Sequence, residues 1–434
     1  MADVQIYGEA DQRTIEQIER CQAAEEGSKA VLCADNHIGY SQPIGGAVAY
    51  RNHISPSGVG YDIGCGNKAV RTNIKVMGEL LGSRPSATVA EIMDEIVKRV
   101  SFGMGRNNDD PAEHPVLDKI KDAPFAPQRQ LYDLAAKQLG TVGSGNHYVD
   151  LFRDEDDYLW IGVHFGSRGF GHKTASGFLA LAEGKRFEEH ASEGEMDSPP
   201  IVFPIDSDLG QSYIAAMELA GEYAYAGRDV VVDTVKQILG AVSDIEVHNH
   251  HNFAWREEHG GEMFWVVRKG CTPAFPGQQG FVGSTMAEES VILEGTDQAE
   301  AALFSTVHGA GRAMSRSEAA GKKRKRWACA NRDCDWTQPP RTHKPDACPT
   351  CGNEKLTKLW IQERAGKVDW DAERSRVAGL GVELRGAAAD EAPPAYKRLD
   401  RVLAAQGDTI RIVHRLQPIG VAMAGPDIYD KYKD

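Results

Sequence analysis

The chain has 434 residues, 49 basic against 63 acidic side chains and a formal net charge of −14. Its 41% apolar content supports a substantial core, no run reaches the roughly 18 apolar residues of a membrane span, and Met1-Ala2-Asp3-Val4 lacks the basic-then-apolar layout of a secretion leader. Membrane proteins, small secreted scaffolds and broadly basic nucleic-acid proteins are therefore disfavoured, a cytoplasmic location is expected, and any RNA contact needs a local basic surface.

In chain order, Ile15, Ile18 and Cys21 at helical spacing predict a helix over Asp11 to Glu25. Ala30 to Ala34 reads as a buried strand ended by a polar turn at Asp35-Asn36-His37. Ser41 to Asn67 is rich in Gly and Pro, a composition suited to backbone that approaches a ligand closely. A helix follows from about Ala87 to Val100, with Thr88 and Glu91 fitting a capping box and Val89, Ile92, Met93, Ile96, Val97 and Val100 forming one apolar stripe. A second helix ends at Gly140, and strands are expected at His147–Phe152 and Tyr158–His164. Helices recur from Asp208 to Leu239 with a break near Gly227, then strands at Ile245–His248 and Met263–Arg268. The mixture predicts an α+β (mixed α/β) fold, one large body, with the sheet order left open. Composition shifts at Gly321, where a basic run, Lys322 to Arg326, opens a segment holding four of the eight cysteines. The expected organisation is a core over 1–320, an inserted module over 321–357 and a C-terminal part of the core over 358–434. Gly379 to Pro394, rich in Gly, Ala and Pro, reads as a connector to a short C-terminal unit.

Without a leader, the cysteines read as thiols or metal ligands rather than a disulfide framework. Cys329 and Cys334, then Cys348-Pro-Thr-Cys351-Gly352, supply two soft pairs on tight turns, the donor set of tetrahedral zinc. Four thiolates close the coordination shell, so the expected zinc is structural. The basic run before it is either a phosphate-neutralising surface or simply a solvated face.

A second constellation is dispersed. Gly60 to Gly66 holds Asp62 and Cys65, and Gly143-Ser-Gly-Asn-His147 ends on a histidine. His164 lies at a strand end with Arg168 nearby, His248 to Asn252 is a histidine cluster, and His308 is followed by Gly309, Ala310 and Gly311. Carboxylate, thiolate and neutral imidazole are the groups that hold a pair of transition-metal ions. Asp35 and His37 read as supporting partners or turn formers rather than ligands.

These motifs, in this order, resemble the RtcB-type RNA ligases (3′-phosphate/5′-hydroxyl RNA ligases of tRNA splicing). The likeness rests on Asp35-Asn-His-Ile-Gly39, Gly58 to Gly66, Gly143 to His147, His164 to Gly169, His250-His-Asn252, Arg268-Lys-Gly270, Gly283-Ser284 and His308 to Arg316. It spans about residues 30 to 320 and resumes at Glu391 to Tyr396. The cysteine module lies outside the family's usual pattern and reads as an inserted zinc ribbon. The resemblance implies a GTP- and manganese-dependent ligase that joins RNA 3′-phosphate or 2′,3′-cyclic phosphate ends to 5′-hydroxyl ends. It implies Asp62, Cys65, His147, His164 and His251 as ligands of two manganese ions, with Cys65 bridging, and His308 as the nucleophile of a histidine–GMP intermediate. Asn146, Asp150, Ser284, Ser290, Gly309, Ala310, Gly311 and Tyr396 fall at nucleotide positions, and Arg168 is a candidate RNA-phosphate clamp or a structural ion-pair partner. Archease, a small activator, is an expected partner. Three departures stand out: Asp150 replaces a usual Glu, Ser290 needs a one-residue insertion, and Met423 or Ala424 stands where a guanine-contacting lysine is usual. Lys431 and Lys433 are the candidate substitutes for that lysine, and the nucleotide's identity stays open on this count. The other readings are a metal-dependent cyclic-phosphate phosphoesterase on the same scaffold and a non-catalytic RNA-binding protein.

Overall fold

Burying nearly every side chain of the Lys29–His37 and Tyr158–Phe165 strands requires cover on both faces, and the chain supplies it by folding two sheets against long helices. The computed structural model describes residues 4–80, 85–189, 191, 196–339 and 342–425. The larger sheet has eight strands. In order these are Gln279–Val282, Ser290–Gly295, Ile410–Met423, Tyr148–Arg153, Tyr158–Phe165, Gly66–Lys75 and Ser243–His250, with Glu383–Arg385 pairing parallel to the end of Ile410–Met423. The smaller sheet has five, in the order Gln5–Ile6, Lys29–His37, Ile44–Tyr50, Glu262–Lys269 and Asn252–His259. Ser243–His250 belongs to one sheet and Asn252–His259 to the other, so the chain crosses between them at His251. The fold is α+β, and among the described residues no helix is long and apolar enough to cross a membrane.

The first helix runs Gln12–Gln22, started by Asp11, whose side chain accepts from Thr14 N at 3.0 Å. Four sequence expectations need correction. Asp35-Asn36-His37 is no turn: the strand continues through it to His37, with an irregular register against Ile44–Tyr50. Asn36 Nδ2 donates to Cys33 O at 2.8 Å, a local side-chain bond that serves an irregular strand as well as it would a turn. The Pro85–Arg99 helix begins before Thr88, so Thr88 lies inside it rather than at its cap, and Val97 is exposed while Met93, Ile96 and Val100 are buried. Asp208–Leu239 is one unbroken 32-residue helix. Gly227 lies in it as a packing site, because an added Cβ there would meet the Phe165 ring at 3.4 Å. Finally, Gly379 to Pro394 is no loose connector: it contributes the Glu383–Arg385 strand and buries Ala387, Asp390 and Glu391.

The cysteine module is a hairpin of Lys322–Cys329 and Leu356–Arg364. Its second strand runs past residue 357. Downstream, Ile410–Met423 lies third in the large sheet, between Ser290–Gly295 and Tyr148–Arg153, so residues on both sides of the hairpin build one sheet.

An unbroken helix at Gly227 makes a stability prediction. Gly227→Ala removes backbone entropy from the unfolded chain and adds only an ordinary van der Waals contact. Thermal or urea unfolding should show a gain of roughly 0.5–1 kcal/mol; a loss would mean that the helix bends there.

Candidate active site and metal centres

Cys65 is the last residue before the Gly66–Lys75 strand, which pairs on one side with Tyr158–Phe165 and on the other with Ser243–His250. Gly66 lies opposite both Phe165 and His250, so Cys65, His164 and His251 come to the same end of the sheet. His147 immediately precedes Tyr148–Arg153, the neighbour of Tyr158–Phe165 on its other side. Donor atoms of Cys65, His164 and His251 lie within 4.8 Å of one another, and so do those of Asp62, Cys65 and His147. Cys65 Sγ is 3.7 Å from His147 Nε2 and 3.9 Å from His164 Nε2, and His147 Nε2 is 3.2 Å from Asp62 Oδ2.

The outer nitrogens are held so that the inner ones face the sulfur. His147 Nδ1 donates to Val142 O at 3.0 Å, and His164 Nδ1 donates to Asn67 Oδ1 at 2.6 Å. With Nδ1 so engaged, Nε2 is the atom each ring would offer to a metal ion, as metal-ligating histidines require; without an ion, His147 Nε2 faces Asp62 Oδ2 instead. His251 Nδ1 is buried with no hydrogen-bond partner. Burial, and then the neighbouring histidines, push His164 and His251 far below the usual imidazole range, so both are neutral Lewis bases. Burial works to raise Asp62, but the His147 hydrogen bond and the charges of His147 and Arg168 hold it well below the usual carboxylate range. Burial and then the Asp62 charge push the Cys65 thiol well up. A divalent ion bound beside it would reverse that balance, because a coordinating thiol is deprotonated. Two donor triads sharing one sulfur therefore fit a pair of ions with a common ligand.

Two glycines are needed here. Gly143 adopts φ +94°, and a Cβ on it would overlap the Arg168 guanidinium, which lies 3.1 Å from His147 Nδ1. A Cβ on Gly166 would come within 2.2 Å of Asp62 Oδ1. Arg168 itself is a non-glycine residue at φ +54°, a conformation that costs about 1–3 kcal/mol and is kept only when surroundings demand it.

His308 follows the Ser305–Val307 strand and meets the cluster, with its ring centroid 4.8 Å from that of His251. Asp35, fully buried, accepts from His308 Nδ1 at 2.7 Å and from His308 N at 2.9 Å. That leaves Nε2 as the nitrogen with the lone pair. Gly309 bridges to Gly283, Ala310 is buried, and Gly311 packs against the Asp35 backbone. Asn146 Nδ2 is 3.2 Å from His164 Nε2. Ser290 Oγ accepts from Ser284 N at 2.9 Å, while Ser284 Oγ, Asp150 Oδ1 and Tyr148 OH are buried without partners. Tyr396 OH accepts from Arg312 at 3.1 Å and donates to Glu391. Met423 is buried opposite Tyr148, and Lys431 and Lys433 lie outside the described residues.

The histidine-rich stretch divides by strand alternation. His251 joins the site, whereas His248 and His250 bond to Arg228, which is fully buried and also donates to Gly64 O at 2.9 Å and Phe165 O at 2.6 Å. Arg228 and Asn67 carry no recognisable motif of their own. Asn67 had one usable signal, its position two residues from Cys65 on a strand, hence on the same face.

The second centre is the hairpin's. Cys329 and Cys351 sulfurs are 3.5 Å apart, Cys334 and Cys348 sulfurs 3.7 Å, and all four lie within 4.8 Å. Tetrahedral zinc at about 2.3 Å from each sulfur separates sulfurs by about 3.8 Å, so the set fits one zinc and no disulfide. Burial raises the Cys348 thiol, but the Cys351 and Thr350 amides pull it down to about 7.

Fold and site define a class: an α+β protein with a buried thiol–carboxylate–imidazole cluster beside a carboxylate-held histidine. The chain belongs to the RtcB family, whose model, described as tRNA-splicing ligase RtcB, matches residues 17–336. Similar proteins include the RNA-splicing ligase RtcB of Escherichia coli (strain K12), 28% identical with 89% of this chain and 87% of the relative covered. The tRNA-splicing ligase RtcB of Thermococcus kodakarensis is 27% identical, covering 95% and 93%. That of Pyrobaculum aerophilum is 29% identical, covering 90% and 87%.

Arg228 tests the support of this cluster. Arg228→Met leaves the Gly64 and Phe165 carbonyls without that donor, and urea unfolding should show a loss of about 2–5 kcal/mol. An unchanged midpoint would mean that the guanidinium does not hold the Gly64 and Phe165 segments together.

Proposed function

We propose that this chain is an RNA ligase that joins 3′-phosphate or 2′,3′-cyclic phosphate ends to 5′-hydroxyl ends, in RNA repair or tRNA splicing, using GTP and two manganese ions. The observation that carries the reading is His308, held by Asp35 through Nδ1 at the edge of the shared-thiol cluster. Asp62, Cys65, His147, His164 and His251 would hold the ions; the choice of manganese follows the family, since the ligand set alone favours zinc. Bound there, they would supply positive charge beside the nucleotide's α-phosphate.

The chain's own part follows from its atoms. His308 Nε2 attacks the α-phosphorus of GTP, an N–P bond forms and pyrophosphate leaves. Asp35 takes the Nδ1–H bond throughout, holding the ring in place and favouring the cationic form that develops. An RNA 3′-phosphate oxygen then takes GMP from His308, which returns to neutral imidazole. The 5′-hydroxyl oxygen attacks the activated 3′-phosphorus and gives up its proton to solvent, a phosphodiester forms and GMP departs. Opening of a cyclic phosphate by water comes first where the end is cyclic.

The buried, partnerless Asp150 Oδ1, Ser284 Oγ and Tyr148 OH suit a polar ligand, because buried polar atoms normally have partners. We assign Asn146, Asp150, Ser284, Ser290, Gly309, Ala310, Gly311 and Tyr396 to the nucleotide and Arg168 to the RNA phosphate. Archease is the expected helper. The hairpin, residues 322–364, is an insertion in a body made of the chain on either side of it and holds structural zinc.

Incubation with GTP and manganese should add one GMP to His308, read by mass spectrometry of the intact protein and its peptides. His308→Ala should give none, and Asp35→Ala should slow uptake about 10- to 100-fold. If the wild type takes up no nucleotide, the ligase reading fails. Separately, the purified protein should carry one zinc by elemental analysis, released in Cys329→Ser with Cys334→Ser; a wild type devoid of zinc under metal-replete expression sinks that assignment.

A further inference from the structure

The hairpin has an outer face that none of the chemistry above uses. Residues 322–364 hold eleven lysines and arginines against five acidic residues, a net +6; the rest of the chain holds 38 against 58, a net −20. A polyanion is repelled by that body and attracted to this projection. Strand register decides which side chains share a face. Lys325 lies opposite Trp360, and Trp327 opposite Lys358, so the four stand together. Lys325 Nζ is 5.2 Å from the Trp360 ring, and Lys358 and Lys344 Nζ are 5.0 and 4.6 Å from the Trp327 ring. Trp360 is 52% exposed. The adjacent position, Arg326, points to the other side, where it is buried against Glu363.

The hairpin is also tied to the active-site side of the molecule. Arg364 Nη2 donates to Ser317 O at 3.0 Å, and Lys367 N and Val368 N donate to Glu318 O and Ala319 O at 2.9 and 3.1 Å. These acceptors belong to the Arg316–Ala320 helix, which begins eight residues after His308. The Arg316 guanidinium lies 3.1 Å from where a Gly145 Cβ would stand, next to Asn146 and His147.

We propose that this face grips a single-stranded segment of the RNA being joined. An unpaired base stacks on Trp360, while Lys325, Lys344 and Lys358 neutralise phosphates. Every base has a π-face, so such a grip tolerates any sequence, and it needs the bases unpaired. The choice of RNA over other single strands rests on the ligase reading.

The test uses the full-length, zinc-loaded protein without nucleotide and a labelled single-stranded 20-mer of RNA with a 3′-phosphate, by fluorescence anisotropy over a salt series. Trp360→Ala should weaken binding about ten-fold. Lys325→Ala with Lys358→Ala should lower the slope of log affinity against log salt by about 0.7 per lysine. A blunt duplex of the same length should compete at least about ten-fold less well. Zinc content equal to wild type establishes that the variant hairpins keep their fold. Wild-type affinity and slope in both sets of variants with zinc retained, or a duplex bound as tightly as the single strand, overturns the proposal. The two readings fail separately. A protein that binds RNA through Trp360 yet never takes up nucleotide leaves this grip standing and removes the ligase. A protein that seals ends while Trp360→Ala binds RNA like wild type removes the grip alone.

Discussion

One sulfur ties the molecule together. Cys65 Sγ is the atom that two donor triads have in common, and it lies where the large sheet ends. A thiol, a carboxylate and several imidazoles in a buried space are stable only if each polar atom has a partner or a ligand. The fold supplies partners for the outer atoms, from Val142 O, Asn67 Oδ1 and Asp35 Oδ2, and turns the inner atoms toward one another. The orientation is therefore built from the backbone outward, and the strained Arg168 and the side-chain-free Gly143 and Gly166 are consequences of how closely the walls approach.

The two sheets matter because the site belongs to neither alone. His147, His164 and Cys65 come from strand ends of the large sheet, whereas Asp35 comes from a strand of the small one. His251 is the residue at which the chain passes between them. The fully buried Arg228, on the long helix, bonds to Gly64, Phe165, His248 and His250 and so clamps the same junction from behind. The donors therefore depend on this seam for their convergence as well as on their own identity.

The four-cysteine hairpin follows a different logic. Its donors come from two local turns, and its sulfur spacing of 3.5–3.7 Å needs no help from the body. It is a separate basic projection on an acidic protein, anchored through the Arg316–Ala320 helix. Charge separation of this kind lets one chain keep a strongly acidic surface and still present a local attraction for phosphate.

Much of this was legible in the sequence because the signals were local. Short-range pattern marked the strands around 147–165 and the helical stretch over 208–239, and the spacing of the paired cysteines marked them as one donor set. The ordered Gly- and His-rich motifs carried the family likeness and named the side chains that converge on Cys65. What the sequence could not supply was long-range pairing. That Asp35 would meet His308 across 273 positions and that Asn67 would turn His164 are outcomes of sheet register and of the crossing between sheets. The same holds for Gly227, which looked like a helix break and proved to be a contact with Phe165. Local propensity depends on neighbours along the chain, but which atoms meet depends on strand order, and strand order is settled only when the whole core is packed.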